Sequence, residues 1–271
     1  MYFGLKKMAA FVWRDWKENT SYKFSFFLQF IGIFVSVTLF YFIAKIFNVA
    51  VVNYLTPYGN DYFAFVLIGI AFASYQGVGL TSFADSIRNA QVYGTLEALL
   101  VTPTSPHTII IASSLWNFLF TSVRVLLYLV VGVTVFGLQL THANYLAAFL
   151  ILILTIVVFS ALGILSASFI MVFKKGDPVA WLFGAASGLL GGVYFPITVL
   201  PPFLKKIALL LPITHSLEGM RQALLSGAGF GQLLTQIGIL CLFAGILFPL
   251  SILMFAVAIK KAKFAGSLVQ Y

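Results

Sequence analysis

The stretch that decides the fold is residues 188–231, GLLGGVYFPITVLPPFLKKIALLLPITHSLEGMRQALLSGAGFG. It begins as an apolar run, breaks at Pro196, and contains a second short apolar run, residues 207–211, that stops at Pro212. Neither run is long enough to cross a bilayer, because a spanning helix needs about 20 apolar residues. Non-helical backbone at membrane depth is tolerated only where it is buried in protein or lines a wet cavity. The stretch therefore predicts a re-entrant pair of short helices at about residues 196–231, which enter the membrane and return on the same side.

The composition of the whole chain indicates a polytopic membrane protein. Its 271 residues are 61% hydrophobic and only 8% charged, whereas a soluble domain carries about 25% charged residues. So few charged side chains cannot cover a water-facing surface. The formal net charge of +9 would suggest nucleic acid in a soluble protein. Here the basic residues flank apolar spans, which favours a lipid membrane as the partner and no nucleic acid.

Six apolar segments are predicted to span the membrane. They cover about residues 24–47, 62–83, 108–138, 145–173, 179–195 and 233–259. Residues 1–23 precede them as an amphipathic helix whose tryptophans share the apolar face, which is typical of a helix in the headgroup layer. We therefore predict an all-α membrane protein. Residues 1–23 form an interfacial helix, and residues 24–271 form a six-helix transmembrane domain with the re-entrant pair between the fifth and sixth spans.

The distribution of Lys and Arg predicts the orientation. Most of the basic residues lie on one side of the spans, including those before the first span and after the last. The positive-inside rule places both termini in the cytosol and the re-entrant pair on the outer side. The two halves show no sequence repeat, which disfavours an inverted-repeat carrier. A compact chain of this kind suits the plasma membrane of a bacterium or an archaeon.

Four polar residues in or beside the spans are candidates for a role beyond packing. Arg124 lies within the third predicted span, where a charge costs about 3 kcal/mol and usually faces the bundle interior. We favour a structural pairing of Arg124 over a role in a pathway. His215, Glu218 and Arg221 follow at i, i+3 spacing and can share one helical face. We predict a hydrogen-bonded cluster at the outer mouth, with a metal or proton-relay site as the alternative.

Two sets of motifs, found in this order and topology, resemble the type-2 ABC exporter permeases. The first set lies between the second and third spans and consists of Arg88, GTLE at 94–97 and TP at 102–103. The second set consists of GVYFP at 192–196, LP at 200–201, LPITH at 211–215 and Arg221. Together with the amphipathic start, the resemblance covers essentially the whole chain.

The resemblance implies a half-transporter. Two copies of this chain, or this chain and a related permease, would form the membrane pathway, and two separate ATPase subunits would dock beneath it. No lysine of the chain is followed by Ser or Thr, so the chain lacks the P-loop that holds nucleotide phosphates. ATP and Mg are therefore expected on the partner subunit, and this chain is expected to have no catalytic residue, metal or cofactor.

The resemblance also assigns about residues 86–102 to the first coupling helix, which would sit in a cleft of the ATPase subunit. Glu97 would be exposed and leucines would form the apolar side. A tight turn at Asp177 would make a second, shorter contact. An ordinary cytosolic loop helix and a plain turn are the alternatives. The residues expected to couple the subunits are Arg88, Gly94, Thr95, Leu96, Glu97, Leu99, Leu100 and Asp177.

By the same resemblance, the pathway lies at the interface of the two permeases, lined mainly by spans one, two and five. The residues expected near it are Gln29, Ser36, Phe72, Tyr75, Gln76 and Tyr194. The outer re-entrant cluster would comprise Pro196, Pro212, His215, Glu218 and Arg221.

These observations predict the membrane-spanning subunit of an ATP-driven exporter that moves an amphipathic, drug-like or lipid-like molecule across the plasma membrane. One alternative is export of a lipid-linked polysaccharide. An alternative of a different class is an ATP-independent carrier or channel that uses Arg124 and the His215 cluster. The helix at about residues 86–102 favours the exporter, because a carrier has no need of it.

Overall fold

The computed structural model describes residues 2–21, 23–51, 54–102, 104–174 and 176–264. In these residues the chain is helical, with no strand, which confirms the all-α fold class. The α-helices, in chain order, are α1 (Tyr2–Ser21), α2 (Lys23–Val51), α3 (Tyr62–Val92), α4 (Thr95–Val101), α5 (Pro106–Thr134), α6 (Tyr145–Phe173), α7 (Pro178–Leu190), α8 (Pro202–Ala208), α9 (Pro212–Leu225) and α10 (Leu234–Phe264). Single 3₁₀ turns cover Thr56–Tyr58 and Ile197–Val199.

Five helices of the described chain are long and apolar enough to cross a membrane. Their apolar segments are Phe27–Phe47, Tyr62–Val92, Thr108–Thr134, Tyr145–Phe173 and Leu234–Ala262. They correspond to the first, second, third, fourth and last of the six predicted spans. The predicted fifth span, residues 179–195, contains the 13-residue helix α7. That helix is about 20 Å long, shorter than the roughly 30 Å hydrocarbon core, so the six-span count stays a prediction.

Local sequence signals explain where four of these helices begin. Asp61, Ser105, Asn144 and Asp177 stand immediately before α3, α5, α6 and α7. Each side chain accepts a hydrogen bond from a backbone N–H of the first helical turn, which satisfies a donor that has no partner within the helix. A proline follows Ser105 and Asp177 at the first helical position, where its missing N–H costs nothing.

Helix α3 is the most enclosed of the five long helices. In the most apolar 18-residue stretch of α3, 72% of the residues are buried, against 17% in the corresponding stretches of α2 and α10. The small and polar residues of this span predict that it faces protein, and the burial confirms that expectation. Helices α5, α6 and α9 pack around α3, and α10 packs on the far side of α6.

Two glycines allow α3 and α6 to cross at close range. A Cβ atom at position 163 would lie 1.9 Å from the carbonyl oxygen of Gly79, and a Cβ atom at position 79 would lie 2.5 Å from the Cβ of Phe159. Both distances are far below van der Waals contact. The contact therefore excludes every residue with a side chain, as small-residue crossings in membrane bundles do.

A non-helical segment follows α7. Helix α7 ends with Gly191 as its C-cap, and Gly192 has a φ of +76°, a conformation that only glycine adopts without strain. The carbonyls of Gly192 and Val193 face the side chain of Arg221 on α9. Its Nη1 donates to the Gly192 oxygen at 2.8 Å and its Nη2 to the Val193 oxygen at 3.0 Å. The buried guanidinium of Arg221 thus provides hydrogen-bond donors to two backbone carbonyls that the end of α7 leaves without helical partners.

The same guanidinium connects α9 to α3. Its Nε donates to the backbone oxygen of Phe65 at 3.1 Å, and its central carbon lies 3.4 Å from the centre of the Phe65 ring. A Cβ atom at Gly69, one turn along α3, would lie 2.5 Å from Nη2. Glycine at this position therefore makes room for Arg221, which is only 2% exposed.

Helices α8 and α9 form a tight helical hairpin. The Thr214 hydroxyl donates to the Ala208 oxygen at 2.7 Å, and Nε2 of His215 lies 2.8 Å from the Leu209 oxygen. These contacts satisfy carbonyls at the C-terminal end of α8. In α9, 11 of the 14 residues are buried, so protein encloses the helix on nearly every side. The first residues of the irregular segment after α7, Gly191, Gly192 and Val193, are also buried, whereas Tyr194 and Val199 are exposed.

We expect Gly163→Ala to lower the thermal stability of the detergent-solubilised protein by about 5 °C. The new methyl group overlaps backbone of α3, and overpacking of this kind costs about 1–3 kcal/mol. Gly77→Ala is the matched control, because Gly77 lies on α3 with no atom within 4 Å of its added Cβ. The close crossing is refuted if both variants melt at the temperature of the unaltered protein.

We expect Arg221→Lys to destabilise the protein almost as much as Arg221→Met, by about 3 kcal/mol or more. A single ammonium group cannot reproduce three N–H bonds that diverge to carbonyls on two elements. Thermal unfolding and limited proteolysis within residues 191–195 measure the effect. Lys206→Met, at an exposed basic residue of α8, is the control. If Arg221→Lys is as stable as the unaltered protein, the positive charge alone accounts for the stabilising effect of Arg221.

Candidate functional site

The polar stretch after the second span forms two helical pieces joined by a sharp turn. Helix α3 continues through residues 86–92, and α4 begins after Gly94, whose φ of +66° is left-handed. The region expected to hold the coupling helix, about residues 86–102, thus consists of the end of α3 and the separate helix α4. The physical reason is that a left-handed residue interrupts the helical hydrogen-bond pattern, and glycine adopts that conformation without cost.

Helix α4 is held to the bundle on one side and open on the other. Leu96 is 1% exposed, Leu99 is half-buried, and Glu97 points outward and is exposed. The Thr95 hydroxyl donates to the Ala90 oxygen of α3 at 3.4 Å. The described side chains therefore match the expected division into an apolar and an exposed side. The Leu100 side chain and Pro103 lie outside the described residues.

Exposed apolar side chains flank Glu97. Val92 is 58% exposed, Tyr93 76% and Val101 86%. Apolar groups this exposed around one acidic residue are typical of an interaction surface. We refer to Val92, Tyr93, Glu97 and Val101 together as the α4 surface.

The other two residues expected to contact a partner make internal contacts. Arg88 pairs with Asp85 at 3.7 Å, one turn earlier on α3. Asp177 is half-buried, caps α7 through the Ala180 N–H at 2.9 Å, and accepts a hydrogen bond from the Ser166 hydroxyl of α6. Asp177 thus ties α7 to α6.

The residues expected near the pathway do not line one cavity within a single chain. Phe72 and Tyr75 are buried on α3 with their rings stacked at 6.2 Å. The Tyr75 hydroxyl donates to Ser122 of α5 at 2.9 Å. The buried amide of Gln76 donates to the backbone oxygen of Phe183 on α7 at 3.3 Å. Tyr75 and Gln76 therefore join α3 to α5 and α7.

The remaining pathway residues lie along α2 or beside it. Ser36 is half-buried, and Gln29 is exposed near the start of the helix. Tyr194, in the non-helical segment, is 43% exposed and stacks on Phe40 of α2 with ring centres 6.0 Å apart. Tyr62 donates from its hydroxyl to the Tyr194 backbone oxygen at 2.9 Å. Tyr194 thus contacts α2 near its middle, whereas Gln29 lies near its start.

The outer cluster of His215, Glu218 and Arg221 forms separate bonds rather than one shared site. His215 contacts the end of α8 and Arg221 contacts backbone oxygens, as described above. Glu218 accepts hydrogen bonds from the Tyr58 hydroxyl at 2.5 Å and from the Gln222 amide at 2.7 Å. Burial, with the neighbouring Glu218 carboxylate, raises the pKa of Tyr58, so the phenol keeps its proton and donates. Pro196 and Pro212 are buried, and Pro212 is the first residue of α9.

A polar crevice runs along α3 and α5 from the α4 surface. Its first section, about 360 Å³, includes Arg14 of α1, Asn89 and Asn117. The second, about 280 Å³, shares Asn89 and Asn117 and reaches Arg124. The third, about 310 Å³, lies between Arg124 and Gln29. Because neighbouring sections share lining residues, we treat them as one feature, the α3–α5 crevice.

Arg124 pairs with an amide rather than with a carboxylate or a carbonyl of the backbone. Its Nη2 donates to Oε1 of Gln29 at 3.1 Å, and its guanidinium lies 5.5 Å from the centre of the Phe120 ring. Gln29 is the third residue of the apolar segment Phe27–Phe47. Arg124 itself lies in the interior of the apolar segment Thr108–Thr134 of α5, as the sequence predicts, and its partner lies at the start of the apolar segment of α2.

Several residues of these sites carry no signal in the sequence. Tyr58, Phe65 and Gly69 contact Glu218 or Arg221 only because α3 and the turn before it pack against α9. Trp116 and Phe120 do carry a signal. They precede Arg124 at four-residue spacing on α5, and such spacing places all three side chains on one helical face.

Comparison with known proteins gives concordant matches. A family model described as ABC-2 type transporter matches residues 6–225. The inner membrane transport permease YadH of Escherichia coli (strain K12) is 29% identical over 189 residues, which are 69% of this chain and 72% of that protein. The linearmycin resistance permease protein LnrN of Bacillus subtilis is 29% identical over 133 residues, 46% of this chain and 34% of that protein.

A shorter match concerns the nodulation protein J of Sinorhizobium fredii, which is 43% identical over 63 residues, 23% of this chain and 24% of that protein. The family model covers most of the chain, including the α4 surface, the α3–α5 crevice and the buried arginine of α9. The chain is a membrane transport permease that belongs to the ABC-2 type transporter family.

Proposed function

We propose that this chain is the membrane-spanning subunit of an ATP-driven exporter of amphipathic molecules. Two copies of the chain, or this chain and a related permease, form the pathway. Two ATPase subunits bind ATP and Mg and dock on the cytosolic side, against the α4 surface. Both termini lie in the cytosol of a bacterial or archaeal cell, and the α8–α9 hairpin is the re-entrant pair at the outer side.

The observation that carries the proposal is the α4 surface. Exposed Glu97 lies among exposed apolar residues on a short helix that Leu96 anchors to the bundle. A surface of this kind suits a protein partner, and membership of the ABC-2 type family supports an ABC ATPase as that partner.

Helix α3 offers a direct mechanical connection from this surface to the re-entrant region. It is one continuous helix of 31 residues, about 46 Å long. Its last turn leads into α4, and its first turns contribute Phe65 and Gly69 to the Arg221 contact. We infer that displacement of α4 by the ATPase shifts α3 as a rigid body. That shift changes how the segment after α7 packs on α9, which opens the outer side.

The class of cargo is proposed from a relative. LnrN is named for resistance to linearmycin, which supports a drug-like cargo. Lipid-linked polysaccharide is the alternative cargo. An ATP-independent carrier is disfavoured, because the chain belongs to the ABC-2 type family and because His215 and Arg221 are occupied in backbone contacts.

A pull-down in mild detergent tests the assembly. The tagged chain is purified from its own host, and the ATPase activity of the co-purifying material is measured. We expect an ATP-hydrolysing subunit at one-to-one stoichiometry with the permease. A pure membrane oligomer without an ATPase would refute the proposal and favour the carrier or channel.

We expect Glu97→Lys to weaken binding of the ATPase about tenfold or more, since reversing an interfacial charge replaces attraction by repulsion. The protein itself should fold normally, because exposed substitutions change stability by only about 0.5 kcal/mol. Co-purification of the ATPase and ATP-dependent export are the measurements. Lys206→Glu reverses a charge on another exposed position, on the short helix α8, and serves as the control. Unchanged export by Glu97→Lys would contradict the coupling role.

A further inference from the structure

Among the described residues, Arg124 is the cation lining the α3–α5 crevice that no carboxylate contacts. Arg14, at its first section, pairs with Asp15 at 2.7 Å. Asp85, in its second section, lies 3.7 Å from Arg88. Among the side chains that the structure describes, none of the carboxylates comes within 4 Å of Arg124, whose contacts are the Gln29 amide and the Phe120 ring. The Arg124 guanidinium is therefore the charged group that can bind an anion in the crevice.

The position of the Arg124 guanidinium along the apolar segment of α2 also bears on what it can bind. Gln29, the partner of Arg124, lies within one turn of the start of the apolar segment of α2. At that depth lipid headgroups give way to acyl chains. An arginine there is half-buried in protein and still reaches the polar layer, since its long side chain can extend towards it.

Polar groups line the crevice along its whole length. Towards α1, Asn89 and Asn117 supply amide groups, and the buried Ser82 hydroxyl has no hydrogen-bond partner among the described residues. Beyond Arg124 the section next to α2 is lined by Gln29, Gly32, Ile33 and Tyr128. The polar lining suits a hydrated headgroup. The exposed apolar side chains of α2 beside Gln29, Leu28 and Ile31, suit an apolar tail.

An aromatic stack forms the side of the crevice nearest α1. Trp16 of α1 meets Trp116 edge to face with ring centres 5.3 Å apart. Trp116 stacks on Phe120 at 5.9 Å, and the guanidinium of Arg124 lies next to the Phe120 ring. The stack connects α1 with Arg124 along one side of the crevice.

We propose that the α3–α5 crevice recognises the anionic headgroup, a phosphate or a carboxylate, of an amphiphilic cargo that enters from the leaflet next to α1. Arg124 binds the headgroup together with the amides of Gln29 and Asn117, while the apolar tail stays between α2 and α5. This inference rests on the proposed exporter function and adds the chemical class of the cargo. It gives Arg124 a role in specificity that a purely structural pairing lacks.

Native mass spectrometry of the purified complex tests the binding step. The probes are a lysophosphatidate and a monoacylglycerol with the same acyl chain, which differ only in the phosphate. We expect the unaltered protein to bind the lysophosphatidate about tenfold more tightly, the usual effect of a charge-assisted hydrogen bond. Arg124→Gln should abolish this preference while still binding both probes, and Arg124→Lys should retain most of it.

Lys45→Gln is the matched control. Lys45 is also a basic residue beside the apolar segments, contacts the Tyr41 ring at 4.9 Å, and does not line the crevice. This variant should keep the full preference for the lysophosphatidate. Equal binding of the two probes by the unaltered protein, or a preference that survives in Arg124→Gln, would overturn the inference.

Transport separates a cargo from a resident lipid. The complex with its ATPase is reconstituted in phosphatidylcholine vesicles, and ATP-dependent movement of each probe between leaflets is measured. We expect faster movement of the lysophosphatidate, with Arg124→Gln slowing this probe alone. Binding without movement, in vesicles that do move the neutral probe, would identify a resident lipid and overturn the cargo role. If ATP moves neither probe, the exporter proposal fails. The binding measured by native mass spectrometry then decides the headgroup preference by itself.

Discussion

The buried guanidinium of Arg221 is the contact on which the unusual part of this fold depends. A chain that breaks between α7 and α8 leaves carbonyls without helical partners, and such groups cost several kcal/mol each in an apolar surrounding. Arg221 satisfies two of them and a third on α3, and the Phe65 ring covers its face. The buried charge is stabilised because three of its N–H groups donate to backbone oxygens and the Phe65 ring lies against the guanidinium.

Helix α3 connects every site of the molecule. Its first turns contact Arg221, and Gly79 makes the close crossing with α6. Its C-terminal third supplies Ser82 and Asn89 to the crevice, and its last turn leads into α4. A helix enclosed by neighbours along its length moves as one body, because close-packed interiors transmit displacement with little compression. The proposed coupling therefore requires no flexible relay between the ATPase side and the outer side.

Several features of the candidate site could be read from residue types, and others could not. The exposed position of Glu97 and the buried position of Leu96 follow from helical spacing in α4. The turn at Gly94 is visible as a glycine, but its left-handed φ depends on how α4 packs. The spacing of His215, Glu218 and Arg221 suggests one cluster. In the structure they diverge, because α8, the turn at Tyr58 and the segment after α7 each take one of them.

The sequence by itself determined the helical class, most of the spans, and the breaks at Pro196 and Pro212. These features depend on hydrophobicity, helix length and the missing N–H of proline, which are local properties. Only the tertiary structure decided that α7 is short, that Arg221 binds backbone of two elements, and that Arg124 meets Gln29 at the start of the apolar segment of α2. These contacts join residues from 28 to 156 positions apart, and pairing at that range depends on how whole helices pack rather than on any local pattern.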